Sequence, residues 1–220
     1  MKRIMICRPG NHFLGIPTDC FTRLVRYLYR HDDEYEWIDR RKYNNDSIAY
    51  ARNLCLGGRS NRGRDQKPFQ GRISYDWILW IDSDSVYIPN QVTRLFKHDL
   101  DIISGWYAFE ARERTSVGKE WDISYFEKYG TLKHMTIPEV SRREKLINAP
   151  WTGLGFCAMK EGVMESLPYP WFRHATLDLG PNISEFAYED ASFCVDIQNK
   201  GFDIWVDPDI RVKHMKYKLY

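Results

Sequence analysis

Asp82-Ser83-Asp84 closes the most apolar run in the chain, Trp77-Ile78-Leu79-Trp80-Ile81. In an extended chain, residues two apart point the same way, so both carboxylates project together. The run predicts a buried strand. Ligands of open α/β sheets bind at the carboxyl ends of such strands. Paired oxygens on one edge suit a hard divalent cation, Mg2+ or Mn2+, with phosphate oxygens as its remaining ligands. Aspartates also favour strand ends simply because they make turns. His214 follows the last apolar run, in Val212-Lys213-His214-Met215-Lys216. An imidazole beside carboxylates would shift the preference to Mn2+, and Lys213 and Lys216 could face a diphosphate.

Two further segments carry chemistry. Tyr188-Glu189-Asp190 opens a segment of helical pattern that ends at Gly201. Acids there complement the helix dipole. A carboxylate in that position can also serve as a general base toward a hydroxyl, provided that partial burial offsets the dipole and raises its pKa. Trp151-Thr152-Gly153-Leu154-Gly155-Phe156 places two glycines beside aromatics, where a backbone can approach a ligand closely or simply turn into a strand. The segment 57–72 holds Arg59, Arg62, Arg64, Lys67 and Arg72 against one acid, Asp65. It reads either as a solvated flexible loop or as a mobile basic lid over a phosphate or a polyanion.

These groups need a frame. Ile4 to Cys7 is a short apolar run that stops at Pro9-Gly10, a buried strand. Thr18-Asp19 offers an N-cap for a helix to about His31, with Phe21, Leu24, Val25 and Leu28 at helical spacing. Tyr35 to Ile38 reads as a second strand. Ser47 caps a short helix that carries Ile48, Ala51 and Cys55 and ends at Gly57-Gly58. Pro89 starts another helix with an apolar face of Val92, Leu95 and Phe96, and Ile102-Ile103 continues as a strand. Strand and helix alternate, which argues for a mostly parallel Rossmann-like central sheet flanked by helices. The second half is less regular. Residues 111–148 are polar with aromatic islands, and Pro168, Pro170 and Pro181 punctuate a long loop. Gly155 to Met159 and Phe202 to Val206 read as strands, with a helix from about Asp190 to Lys200 between them. No linker divides the 220 residues. One domain is expected, with a nucleotide-binding half at about 1–105 and an acceptor and catalytic half at about 106–220.

Composition removes several classes. Apolar residues make up 43% and charged residues 28%, too apolar for disorder. The net charge of +2 does not by itself argue for a nucleic-acid or membrane-surface binder. Five widely spaced cysteines without a CxxC argue against a zinc cluster or a disulfide framework and fit a reducing compartment. No stretch approaches the ~20 apolar residues of a spanning helix. The early apolar run breaks at Arg8-Pro9, too soon for a signal peptide. A soluble, cytoplasmic protein is expected, in the host cytoplasm if the source is viral.

In order along the chain, Ala51-Arg52-Asn53, Trp80-Ile81-Asp82-Ser83-Asp84, the glycine turn at 151–156 running on to Pro170-Trp171-Phe172, and Tyr188-Glu189-Asp190 followed by Val206-Asp207-Pro208 and His214 together resemble a nucleotide-sugar-dependent glycosyltransferase of the GT-A fold. The nearest likeness is to the family-2-like group, including small stand-alone sugar transferases of phages and large DNA viruses. The resemblance implies an α/β fold with an irregular acceptor side, and a metal site of Asp82, Asp84 and His214 for Mn2+ or Mg2+. It implies donor contacts from Pro9, Asp39, Arg52, Asn53, Asp82, Ser83 and Gly153. Of these, Pro9 would lie beside the base, Asp39 would read base or ribose, and Arg52 and Asn53 would hold nucleotide or diphosphate. Asp82 would touch ribose or ion, and Gly153 would sit under the sugar. Asp190 would be the catalytic base, with Glu189 assisting. Arg8-Pro9-Gly10 departs from the Pro-x-Tyr-Asn common in that group.

The implied reaction is hexosyl transfer from a UDP- or GDP-sugar to an acceptor hydroxyl on a glycan or glycoprotein. Attack opposite the leaving diphosphate would invert configuration, whereas a structural Asp190 would leave retention open. Trp106, Tyr107, Trp121 and Asp122 are expected on the acceptor side. Two alternatives remain open at this point. One is a sugar nucleotidyltransferase, for which Pro9-Gly10 makes a poor phosphate loop. The other is a non-catalytic carbohydrate- or nucleic-acid-binding module that uses the aromatics and the basic segment.

Overall fold

The computed structural model describes residues 1–10, 13, 15–43, 47–109, 113–181 and 183–215. Its strands in chain order are β1 (Lys2–Gly10), β2 (Tyr35–Tyr43), β3 (Trp77–Ile81), β4 (Ser85–Val86), β5 (Ile102–Trp106), β6 (Arg114–Glu120), β7 (Lys133–Thr136), β8 (Ile147–Asn148), β9 (Phe156–Lys160), β10 (Ala175–Gly180), β11 (Ile183–Ala187), β12 (Trp205–Arg211) and β13 (Lys213–His214). The helices are α1 (Ile16–Tyr29), α2 (Ile48–Cys55), α3 (Pro89–Lys97), α4 (Ile123–Tyr129), α5 (Ile137–Ser141) and α6 (Glu189–Gln198). Among the described residues, seven strands form the central sheet in the order β2-β1-β3-β9-β5-β12-β8. β2, β1, β3, β5 and β12 share one direction, while β9 and the edge strand β8 run against them. The sheet is mostly parallel, with one antiparallel strand, β9, inserted at its centre.

Strand alternation builds a core on each face. Met5, Cys7, Ile78 and Trp80 point to one face, where they meet Ala49 and Cys55 of α2 and Phe193 and Ile197 of α6. Ile4, Ile6, Leu79 and Ile81 point to the other, against Leu24 and Leu28 of α1 and Leu95 and Phe96 of α3. Helices on both faces explain why β3 reads as an unbroken apolar run. All five cysteines are buried and unbridged. No helix among the described residues is long and apolar enough to cross a membrane.

Some local expectations change. α1 begins at Ile16, without a side-chain cap. Thr18 is inside it, and its hydroxyl donates to the Phe13 carbonyl at 2.7 Å. Ser47 does cap α2, accepting from the Tyr50 amide. The last long strand starts at Trp205 rather than Phe202. The polar stretch 111–148 holds β6, α4, β7, α5 and β8, and the proline-rich loop holds the hairpin β10–β11. β6 is polar in composition yet buried at Thr115, Ser116 and Val117. The Trp151 indole lies where a Cβ on Gly118 would stand.

One polar cluster fastens α3 to β12. The fully buried Asp207 accepts from Arg94 Nε at 2.5 Å, His98 Nε2 at 2.7 Å and the Asp209 amide at 2.9 Å. Burial pushes its pKa up, but these donors outweigh burial and the carboxyl ends below its ordinary value. Its stabilisation is therefore present above the ordinary aspartate range and lost as pH falls through the lowered pKa. Asp207→Asn should cost about 2 kcal/mol at pH 7, and the deficit should shrink on acidification. Urea midpoints measured at pH 7 and pH 3 check both.

Candidate active site

The site lies at the carboxyl end of β3. There the chain leaves the sheet in a turn whose closing bond runs from the Ser85 amide to the Asp82 carbonyl, 3.1 Å. β4 then pairs antiparallel with β13, His214 opposite Ser85, and the Met215 amide donates to the Asp84 carbonyl at 2.8 Å. This two-stranded patch carries His214 across more than a hundred residues of sequence to the aspartates. Asp82, Asp84 and His214 each offer a donor atom within 4.8 Å of the others. The His214 ring stacks on Tyr107 with centroids 3.7 Å apart, and its Nδ1 lies 3.8 Å from Asp84 Oδ1.

Gly155 makes this convergence possible. A Cβ there would stand 2.9 Å from Asp82 Oδ2 and 3.1 Å from His214 Nε2, filling the space between the donors. Its carbonyl also accepts from the Asp82 amide at 2.9 Å and from Ser85 Oγ at 3.0 Å. Two carboxylate oxygens and an imidazole nitrogen around a space kept open by a glycine fit a divalent cation, and the nitrogen favours Mn2+ over Mg2+. Burial pushes the Asp82 carboxyl above its ordinary range, against the pull of Arg52 and His214.

Arg52 sits behind this cluster. It is 2% exposed. Its NH2 donates to Asp82 Oδ1 at 2.9 Å, and its Nε donates to Glu189 Oε1 at 3.3 Å. The guanidinium lies over Trp80 at 5.4 Å and Phe172 at 6.0 Å. Burial alone would lower its pKa, but Asp82 and Glu189 more than reverse that. Arg52 therefore ties the aspartate turn to the start of α6, with the buried Glu189 as the second anchor of that tie. Asn53 is turned inward as well. Its amide donates to the Ala49 and Phe172 carbonyls at 2.8 and 2.7 Å, and Oδ1 accepts from the Phe172 amide. Asn53 thus spends its amide on protein partners, whereas Arg52, beside its bonds to Asp82 and Glu189, keeps a buried Nη1 with no hydrogen-bond partner among the described residues.

Asp190 is the more exposed acid of the pair. With Trp151, His134, Phe109, Tyr188 and Glu185 it lines a cavity of about 460 Å3. Burial first, then the neighbouring Glu189, lifts its pKa to about 6, while the Ala191 amide, 2.8 Å away, and Arg52 pull the other way. Tyr107, Asp82 and Asp190 are close enough for the two carboxylates to add to the burial that raises the Tyr107 phenol.

The remaining positions fall as follows. Arg8 grips Asp39 through two bonds, Nε at 2.8 Å and NH2 at 2.5 Å, with its guanidinium 3.4 Å from the Phe21 ring centroid. Pro9 is buried in β1, and Ser83 shares a narrow crevice with Arg8 and Asp82. Gly153 lies under the Tyr107 hydroxyl, which occupies the place of a Cβ there. Trp106 is core, its Nε1 donating to the Pro208 carbonyl. Asp122 caps α4 and pairs with Lys133 at 2.8 Å. In the basic segment, the buried Gln66 binds the Arg59 amide and carbonyl and the Gly63 carbonyl, so 59–66 closes on itself with its cations outward. Lys213 is exposed, and Lys216 lies outside the described residues. Tyr107, Gly155 and Arg8 were not assigned these places from sequence. Gly155 stood in the quoted glycine turn and Tyr107 in the aromatic segment, but no spacing signals what they touch.

No family model and no curated protein matches the chain. Solved structures do. A197 from STIV aligns over 100% of this chain and 97% of that one, at 17% identity and a TM-score of 0.52. GalNAc-T7 with UDP, GalNAc and Mn2+ aligns over 99% of this chain at 13% identity and a TM-score of 0.59, and this chain spans 44% of its length. These likenesses define the architecture: the chain has a GT-A-type α/β fold.

Arg52→Leu should leave Asp82 and Glu189 buried without a counter-charge and cost about 3–5 kcal/mol at pH 7. The deficit should narrow as acid protonates Asp82. Thermal denaturation across pH 4–8 measures it.

Proposed function

We propose that this chain is a metal-dependent glycosyltransferase that moves a hexosyl group from a nucleoside-diphosphate sugar, a UDP- or GDP-sugar, to an acceptor hydroxyl on a glycan. The observation that carries the reading is the meeting of Asp82, Asp84 and His214 around a space that Gly155 leaves open. The fold shared with GalNAc-T7, solved with UDP, GalNAc and Mn2+, supports the donor class. A divalent ion held by these three residues would offset charge on the departing diphosphate as a Lewis acid.

The protein's own groups do the rest. In this reading the half at about 1–105 receives the nucleotide along the ends of β1 and β3, with Pro9, Asp39, Asp82 and Ser83 on the donor side. Arg52 and Glu189 hold the aspartate turn and the start of α6 in fixed relation. Tyr107 keeps the His214 ring in place by stacking and, lying over Gly153, floors the site between donor and acceptor. The half at about 106–220 supplies the acceptor wall and Asp190. Asp190 accepts the proton of the acceptor hydroxyl while its oxygen attacks the anomeric carbon. The bond to the diphosphate breaks on the opposite face, through an oxocarbenium-like transition state, and configuration inverts.

Asp84→Ala should abolish Mn2+-stimulated release of nucleoside diphosphate and weaken Mn2+ binding at least tenfold by calorimetry. Full retained turnover would remove the metal assignment, and release of pyrophosphate instead would make the protein a nucleotidyltransferase.

Asp190 gives a pH signature. As a base it must be ionised, so kcat/KM should climb about tenfold per pH unit below its pKa of about 6 and level off above. The same raised pKa means that the folded chain binds the proton more tightly than the unfolded chain. Stability therefore falls as pH rises from the ordinary 3.8 to about 6. Asp190→Asn should lose roughly 10²–10⁴-fold in turnover yet gain on the order of 2 kcal/mol of stability at pH 7. A wild-type rate in that variant would remove Asp190 as the base.

A further inference from the structure

Beside the cavity that Asp190 opens onto is a second one of about 440 Å3, walled by Trp121, Ile123, Leu132, Leu177, Leu179 and Val195. Leu132 belongs to both walls. The hairpin β10–β11 also borders both, through Leu177 and Leu179 on one side and Glu185 and Ala187 on the other. Each cavity is of a size that holds a small ligand, but their chemistries differ.

The first is built for a polyol. Trp151, Phe109 and Tyr188 offer ring surfaces, and Glu185 and Asp190 offer carboxylate acceptors. Trp151 Nε1 and His134 Nδ1, both buried, have no hydrogen-bond partner in the protein among the described residues. Burial and the nearby Arg114 hold the His134 pKa down at about 4, so at pH 7 its ring is neutral. The second cavity is mostly apolar, and among the described residues its wall holds no cation. Among the described residues its ionisable groups are the acids Asp122 and Asp178, Asp122 paired with Lys133 and Asp178 accepting from the Ser184 hydroxyl at 2.9 Å. Acids at the wall repel a phosphate or carboxylate, so an anion is excluded. Lys133 offsets the Asp122 charge, and an uncharged apolar group matches the mostly apolar wall.

We infer that the acceptor is a neutral amphiphilic glycoside, with its sugar in the first cavity, a hydroxyl at Asp190, and its apolar aglycone in the second. This rests on the glycosyltransferase reading above. The shared chemistry is an apolar group on the reducing end of a sugar, and the source is either an alkyl chain, as in a glycolipid, or an aromatic ring.

The test compares methyl, octyl and phenyl glycosides of glucose, galactose, mannose, N-acetylglucosamine and N-acetylgalactosamine, below their micellar concentrations. Dissociation constants are measured by calorimetry with nucleoside diphosphate and Mn2+ present. Each buried methylene is worth about fourfold in affinity, so for the accepted sugar the octyl glycoside should bind at least tenfold more tightly than the methyl glycoside. A phenyl advantage that exceeds the octyl one assigns an aromatic aglycone, and the reverse an alkyl chain. Leu177→Asp, on the partly exposed hairpin, should abolish the advantage and leave methyl-glycoside and nucleotide binding unchanged. Leu179→Ser serves the same purpose with a smaller perturbation. Equal methyl, octyl and phenyl affinities, no glycoside binding at all, or an advantage that survives both variants overturns the inference. If nucleoside diphosphate binds without dependence on Mn2+, the failure lies with the glycosyltransferase reading instead.

Discussion

A single guanidinium buried between two carboxylates governs the geometry of this protein. Arg52 reaches from α2 to Asp82 at the end of β3 and to Glu189 at the start of α6. Burying one positive charge is costly, and so is burying two negative ones. Together they are tolerable only in one arrangement, so the three elements that carry them are held in register. The aromatic faces of Trp80 and Phe172 complete the enclosure. A charge cluster of this kind adds little net stability, but removing one member leaves the others stranded. That asymmetry is what keeps the aspartate turn and Asp190 at a set separation.

The central antiparallel strand β9 is the second constraint. Because it runs between β3 and β5, the turn that leads into it, 151–155, passes directly over the carboxyl end of β3. Gly155 lands against Asp82 and His214, and Gly153 lands under Tyr107. Both glycines are there because neighbouring side chains occupy the volume that a Cβ would take. The patch of β4 with β13 then brings the imidazole from the far end of the sheet. The donor cluster is thus a product of topology, with each of its three side chains supplied by a segment whose position is fixed by backbone hydrogen bonds.

Much of the frame was legible in the residues. β3 is apolar on both faces because both are covered, and its bounds follow from Asp82 and the preceding polar turn. Ser47 and Pro89 mark helix starts by their own chemistry. The elements that were missed have a common cause. β6 is built from Thr115, Ser116, Val117 and Gly118, and it is a strand because Trp151 and β7 pack on it, not because its own pattern alternates. Leu177 and Leu179 do alternate with Thr176 and Asp178, but the flanking prolines masked the hairpin.

The chain's own order of residues determined that two carboxylates would share one edge, that an acid pair would open a helix, and that glycines would stand before a strand, since each follows from backbone periodicity within a few residues. It did not determine which member of a pair meets solvent. Glu189 and Asp190 are neighbours and line the same cavity, yet Glu189 is the more buried and is bonded to Arg52, while Asp190 accepts from the Ala191 amide. Arg52, read from sequence as a prospective phosphate ligand, also braces the interior between Asp82 and Glu189. Those outcomes depend on contacts between positions 30 to 137 residues apart, where burial and charge balance, rather than local spacing, select the partner.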